Sequence, residues 1–214
     1  MSSQRDLHDH YFREAKRNGY RSRAAYKLIE INEKRNLLKK GDCVLDLGAA
    51  PGSWLQVASE QIGSRGKVVG VDLTEIEGSL PENVTTIQDD VMTLHEKSFD
   101  GITEFDVILS DMAPNTTGTK TIDHHGSMRL CHCALDLAAT ILKSGGNLVM
   151  KVLEGEAYPE LLDRAAESFS TAKGFKPKAS RSISTEMYVV CINRNENVEK
   201  PLPMTNPPPS SGWG

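Results

Sequence analysis

The run Cys43-Val44-Leu45-Asp46-Leu47 passes directly into Gly48-Ala49-Ala50-Pro51-Gly52-Ser53-Trp54. A short apolar stretch that meets an acidic residue, then small residues, then a helix is how an open α/β sheet makes a nucleotide-sized hollow. Gly48, Ala49, Ala50 and Gly52 carry little side chain, so a ligand can lie against the main chain. The spacing is not the G-x-G-x-x-G of dinucleotide enzymes, because Ala50 stands in the place of the second glycine and Ser53 in that of the third. A pyrophosphate needs that close approach to a helix N-terminus; a cofactor without phosphate does not. The plain alternative is a tight turn with no ligand.

The rest of the chain repeats the alternation. Apolar runs at 43–47, 67–72, 84–88, 105–110, 147–152 and 187–192, with a weaker one at 175–179, read as seven strands. Helical patterns separate them at 53–62, 127–142 and 159–172, and turns are expected at 63–66 and 143–146. Continuous apolar strands alternating with helices predict a mostly parallel seven-stranded sheet covered on both faces, an α/β Rossmann-like fold. Before it, residues 6–38 read as two helices broken at Asn18-Gly19-Tyr20, with Ser22 as N-cap of the second. The expected organisation is a basic helical arm (1–40) joined to a core (41–194) in one domain. A tail (195–214) rich in proline, serine and glycine is expected to be disordered.

Ligands of such sheets bind beyond the carboxyl ends of the strands. Four carboxylates fall there: Asp46, Asp72, Asp90 and Asp111. Asp72 follows Gly48 at about the distance where an acidic residue accepts hydrogen bonds from ribose hydroxyls, and Asp90 is placed to meet an adenine amino group. Any one of them can equally cap the next helix. Together they make an acidic hollow that repels a pyrophosphate and suits a cation such as the sulfonium of S-adenosylmethionine (SAM).

Net charge is −4, yet between Arg13 and Lys40 ten basic side chains oppose three acidic ones, about +7 against −11 for the remainder. A polyanion would therefore be met locally; a solvated helix pair is the alternative. No apolar run approaches the ~20 residues needed to cross a bilayer, and the first residues lack the apolar stretch of a signal peptide, so a cytoplasmic protein is expected. The four scattered cysteines are expected to be reduced. Cys131-His132-Cys133 lacks a second ligand pair at a suitable spacing, so no metal is expected. Lys151 ends a strongly apolar strand, an unusual place for a merely solubilising charge.

The segments RSRAAYKL (21–28), DLGAAPGSW (46–54), SDMAPNTTG (110–118), VMKVLEGE (149–156) and SRSISTEMYVV (180–190) together resemble the RrmJ/FtsJ family of RNA ribose 2′-O-methyltransferases. The likeness covers about residues 9–194 and is greatest to the stand-alone enzymes that methylate a uridine of large-subunit ribosomal RNA. It implies a catalytic set of Lys27, Asp111, Lys151 and Glu186, and SAM contacts at Gly52, Trp54, Asp72, Asp90 and Asp111. Two departures are present: Ser53 where the family has glycine, and Asp89 where a glycine often precedes the adenine-side aspartate. The implied reaction is an in-line displacement on an already activated methyl, so the protein aligns the atoms and manages the hydroxyl proton. A free lysine, pKa ~10.4, is a poor base near neutral pH; burial and a nearby cation lower that value and a carboxylate opposes them. In this reading Lys151 takes the proton, Asp111 directs Lys151, and Glu186 orients Lys27. Lys16, Arg17, Arg21 and Arg23 hold the RNA backbone, with Tyr20 and Tyr26 available for stacking on bases. The partner implied is ribosomal RNA within the large subunit, met by a monomer. The alternatives are a non-catalytic RNA-binding assembly factor and a methyltransferase for another RNA, such as tRNA, or for a small molecule.

Overall fold

The computed structural model describes residues 4–180 and 184–196, of which 4–9 by backbone alone. The expected tail from 197 onward and Arg181–Ile183 of the last motif lie outside the described residues. Seven strands form one sheet: β1 (Cys43–Leu47), β2 (Lys67–Asp72), β3 (Val84–Gln88), β4 (Phe105–Ser110), β5 (Leu142–Leu153), β6 (Phe169–Phe175) and β7 (Glu186–Arg194). Their order is β3-β2-β1-β4-β5-β7-β6, parallel from β3 to β5, with β7 antiparallel to both of its neighbours. The order reverses between β1 and β4, which puts a crevice beyond their carboxyl ends.

Among the described residues five α-helices accompany the sheet: α1 (Gln4–Arg17), α2 (Ala25–Arg35), α3 (Ser53–Ile62), α4 (Lys120–Ile141) and α5 (Tyr158–Ser168). Two apolar clusters sandwich the strands. One joins Leu45, Ile108 and Met150 to Ala134, Leu137 and Leu161 of α4 and α5. The other joins Val44, Leu109 and Val149 to Leu28, Ile31, Leu55 and Ala58 of α2 and α3. Burial on both faces is why these strands read as unbroken apolar runs rather than alternating ones. The basic arm is thus packed onto the sheet through α2.

Four sequence expectations need correction. The second helix begins at Ala25, and Ser22 does not cap it; the Ser22 Oγ accepts from the Ala24 N–H at 3.2 Å and meets Ser53 Oγ at 2.8 Å. The helix expected from 127 starts at Lys120, because the Asp123 carboxylate accepts from the Thr117 and Gly118 N–H groups and holds its first turn. Gly126, which weakens the helical pattern, sits where a Cβ would lie 2.8 Å from Pro114. Residues 143–146, expected as a turn, form an irregularity inside β5: Phe105 pairs with Leu142 and Val107 with Asn147. Finally, the sixth strand is Phe169–Phe175, not 175–179, and it takes residues 169–172 from the helix expected at 159–172, which ends at Ser168 as α5. It is an edge strand of mixed exposure with no apolar run, and Pro177 beyond it has no N–H for a ladder.

Candidate active site

Ser110, the last residue of β4, pairs with Met150 of β5, so Asp111 and Lys151 follow at the same level. Lys151 Nζ donates to Asp111 Oδ1 at 3.0 Å and to the Asp111 carbonyl at 2.5 Å. Across β5, Lys151 pairs with Tyr188 and Leu153 with Glu186. Residues two apart on a strand share a face, which sets Glu186 and Tyr188 on one side of β7. Lys27, from the first turn of α2, reaches Glu186 Oε1 at 2.7 Å, and Ser180 Oγ donates to the same oxygen at 2.6 Å. The Tyr188 O–H donates to Asp111 Oδ1 at 2.5 Å, and Lys27 Nζ lies 5.8 Å from the Tyr188 ring centroid. Two ion pairs are thereby linked through one tyrosine. None of the four side chains in these two pairs is more than 19% exposed, so their interactions are screened little by water. Burial, followed by the charges of Asp111 and Glu186, pushes the Tyr188 phenol well up, so its O–H persists as a donor.

The hollow beside this set is built by the turn after β1. Gly48 has φ +75, and a Cβ there would come within 2.7 Å of Met112 Cγ; Gly52 has φ +102. Asp72 spends its carboxylate on the turns, accepting from Ala50 N–H at 2.9 Å and from Thr74 N–H at 2.8 Å. Asp90 is exposed and accepts from Met92 N–H at 2.9 Å, capping the 3-10 turn Val91–Thr93. Asp46 is fully buried and neither oxygen has a hydrogen-bond partner. Burial, then the charges of Asp111 and Asp72, pushes its carboxyl well above the usual range. Trp54 is buried against Tyr188, ring centroids 5.8 Å apart, with its Nε1–H donating to the Ala24 carbonyl at 2.8 Å.

The basic arm divides. Lys16 and Arg17 at the end of α1 are exposed, Arg17 within 3.6 Å of Glu14. Arg23 is half-buried. Arg21 is turned inward: its guanidinium donates to the carbonyls of Pro51, Glu77 and Ser79. Tyr20 donates to Glu60 and packs edge-on against Tyr26, which also contacts Tyr11. Neither tyrosine is a free stacking surface.

The FtsJ-like methyltransferase family matches residues 20–194, which holds every residue of this set. The chain belongs to the FtsJ-like methyltransferases. A Psychrobacter arcticus protein named ribosomal RNA large subunit methyltransferase E is 46% identical over 192 residues, covering 87% of this chain and 90% of the relative. A Methanocella arvoryzae protein of the same name is 47% identical over 184 residues, covering 85% and 71%. Among solved structures, one described as a ribosomal RNA methyltransferase from Plasmodium falciparum superposes with a TM-score of 0.71 at 32% identity, covering 82% of this chain and 98% of that one.

As an FtsJ-like methyltransferase the chain brings Lys27, Asp111, Lys151 and Glu186 together from α2, β5, β7 and the residue after β4. Its hollow fits a cationic cofactor on its own evidence. The Asp46 carboxyl has no hydrogen-bond partner and lies close to the further negative charges of Asp111 and Asp72, and a side chain at Gly48 would close the turn against Met112. Tyr188 and Ser180, which bond to the two carboxylates, are members of the set that the sequence reading missed; the signal for Tyr188 is the clearer. Tyr188 lies two residues after Glu186, hence on the same face of a strand. All four cysteines are free. No described helix is long and apolar enough to cross a membrane.

Proposed function

We propose that this methyltransferase acts on a ribose 2′-hydroxyl of large-subunit ribosomal RNA, with SAM as donor. The relatives' names support the substrate class, and the largely water-shielded lysine–carboxylate set supports the chemistry. The cofactor supplies a methyl group already activated on a positively charged sulfur. Gly48, Gly52 and Trp54 shape its hollow, and Asp46, Asp72, Asp90 and Asp111 provide the acceptors and negative charge.

The chain's own task is then to orient the ribose oxygen and receive its proton. Lys151, as the neutral amine with a free lone pair on Nζ, takes that proton late in the displacement and becomes the ammonium. Asp111 fixes the direction of Lys151 and is itself fixed by Tyr188. The Lys27–Glu186 pair holds a second amine 5.8 Å from the Tyr188 ring centroid. Lys16 and Arg17, exposed at the end of α1, engage the RNA backbone, and affinity should therefore fall steeply with salt. A uridine is the target base in this reading.

The observation that carries the proposal is the Lys151 amine, only 11% exposed, near the end of an apolar strand and held by Asp111. The test is single-turnover methylation of large ribosomal subunits with radiolabelled SAM, counting label in alkali-resistant dinucleotides, since a methylated 2′-oxygen cannot cleave its neighbouring phosphodiester. Lys151→Ala should lose about 10²- to 10⁴-fold in rate. Wild-type single-turnover rate in that variant removes the role of Lys151. Label outside the alkali-resistant fraction removes the ribose assignment. Mapping 2′-O-methyl positions in RNA from cells with and without the protein identifies the nucleotide.

A further inference from the structure

Arg21 belongs to the basic arm by sequence but to the hollow by contact. Nη1 donates to the Pro51 carbonyl at 2.9 Å and the Glu77 carbonyl at 2.6 Å, and Nη2 donates to the Ser79 carbonyl at 2.8 Å. Pro51 lies in the turn after β1, and Glu77 and Ser79 lie in the loop after β2. These are the two loops that flank Asp46 and Asp72. The arm is itself pinned: Arg21 N–H donates to Gln56 Oε1 of α3 at 2.9 Å, and Gln56 Nε2 donates to the Gly19 carbonyl at 2.9 Å.

The fit around the guanidinium is tight. A Cβ at Gly52 would lie 3.2 Å from Arg21 Cδ, and one at Gly78, where φ is +81, would lie 3.4 Å from Nη2. A planar fork of five donors can serve three carbonyls on two loops at once; a lysine ammonium is a point charge on a flexible stem. With three of its five donors held by main-chain carbonyls, this guanidinium is not free to swing out to a phosphate.

Resting on the reading that SAM occupies the hollow, we propose that Arg21 is a positioning residue for the cofactor and not an RNA-backbone contact. It clamps the Pro51 turn to the Glu77–Ser79 loop, so cofactor binding meets loops already ordered. Its loss lets the two loops separate and weakens SAM affinity, while the RNA-facing charges of the arm are untouched.

The test uses full-length wild-type protein, Arg21→Ala, Arg21→Gln and Arg21→Lys. SAM and S-adenosylhomocysteine are titrated by calorimetry, RNA binding is followed against salt, and KM for SAM is separated from kcat. Arg21→Ala should weaken both cofactor ligands by at least about tenfold, with the loss appearing in KM for SAM rather than in kcat. Arg21→Gln, which keeps two donors, and Arg21→Lys should recover part of it. The slope of log RNA affinity against log salt should stay at the wild-type value. Wild-type cofactor affinity in Arg21→Ala overturns the proposal, as does a salt slope reduced by about 0.7, the signature of one lost phosphate contact on single-stranded RNA. If Arg21→Ala does not fold, the same two readings on Arg21→Gln decide. Absence of SAM binding by the wild-type protein instead sinks the cofactor reading, a result distinct from either.

Discussion

Tyr188→Phe is the sharpest single perturbation of the lysine–carboxylate set. The ring stays, with its contacts to Trp54 and Lys27, and only the O–H that donates to Asp111 Oδ1 at 2.5 Å is removed. A hydrogen bond to a charged acceptor contributes about 1.5–3 kcal/mol. Asp111 keeps Lys151 at 3.0 Å, so no carboxylate oxygen is orphaned and the stability cost should lie near the lower end of that range. If the bond aligns the Asp111–Lys151 pair in the transition state, its loss lowers the single-turnover rate by roughly ten- to 160-fold, at 1.36 kcal/mol per decade. Rapid-quench methylation of large ribosomal subunits measures that rate, and thermal unfolding of the same preparation separates catalysis from folding. The cofactor affinity should hold, because Tyr188 is fully buried behind the set. A folded Tyr188→Phe protein within about twofold of the wild-type rate would falsify the claim that this hydroxyl aligns the pair, and leave the tyrosine a packing residue.

Three further outcomes are expected. Lys27→Met and Glu186→Gln should each destabilise by about 3–5 kcal/mol through the unpaired partner left behind, and the double variant by clearly less than the sum; additive urea-unfolding energies would show the pair uncoupled. Asp46 keeps a raised carboxyl pKa in the folded, cofactor-free protein, so its contribution is complete below the unfolded value of about 3.9 and declines as pH rises toward the folded one. Asp46→Asn should therefore flatten the fall in melting temperature as pH rises above about 4; identical slopes in the two proteins would contradict the buried, unpaired carboxyl. Gly48→Ala, whose Cβ meets Met112 Cγ at 2.7 Å and its Cα at 3.1 Å, should cost about 1–3 kcal/mol. An unchanged melting temperature would mean the turn gives way.

Part of this molecule was legible from residues alone. The bounds of β1, β2, β4 and α3 follow directly from apolar runs and the glycine turn, because strands buried on both faces cannot alternate. The edge strand β6 was misplaced for the complementary reason. Its residues in FSTAKGF need satisfy only one neighbour and partial burial, so no periodicity marks them. Helix α4 was begun too late because its start is fixed by Asp123 bonding back to the Thr117–Gly118 turn, a contact that hydrophobic spacing does not report.

The candidate residues divide in the same way. Each member of the Lys27, Asp111, Lys151 and Glu186 set could be singled out along the chain, by its place at a strand end or by its motif. Charge type and strand position are local properties, and the sequence determined them by itself. Which amine meets which carboxylate is not local. The register Lys151 opposite Tyr188, the reversal of strand order at β1 and β4, and the packing of α2 on the sheet bring Lys27 to Glu186 and Lys151 to Asp111. Only the tertiary structure decided those pairings, the entry of Tyr188 between them, and the inward turn of Arg21. Each depends on distances between segments far apart in the chain, and a single side chain carries no record of what the fold will place beside it.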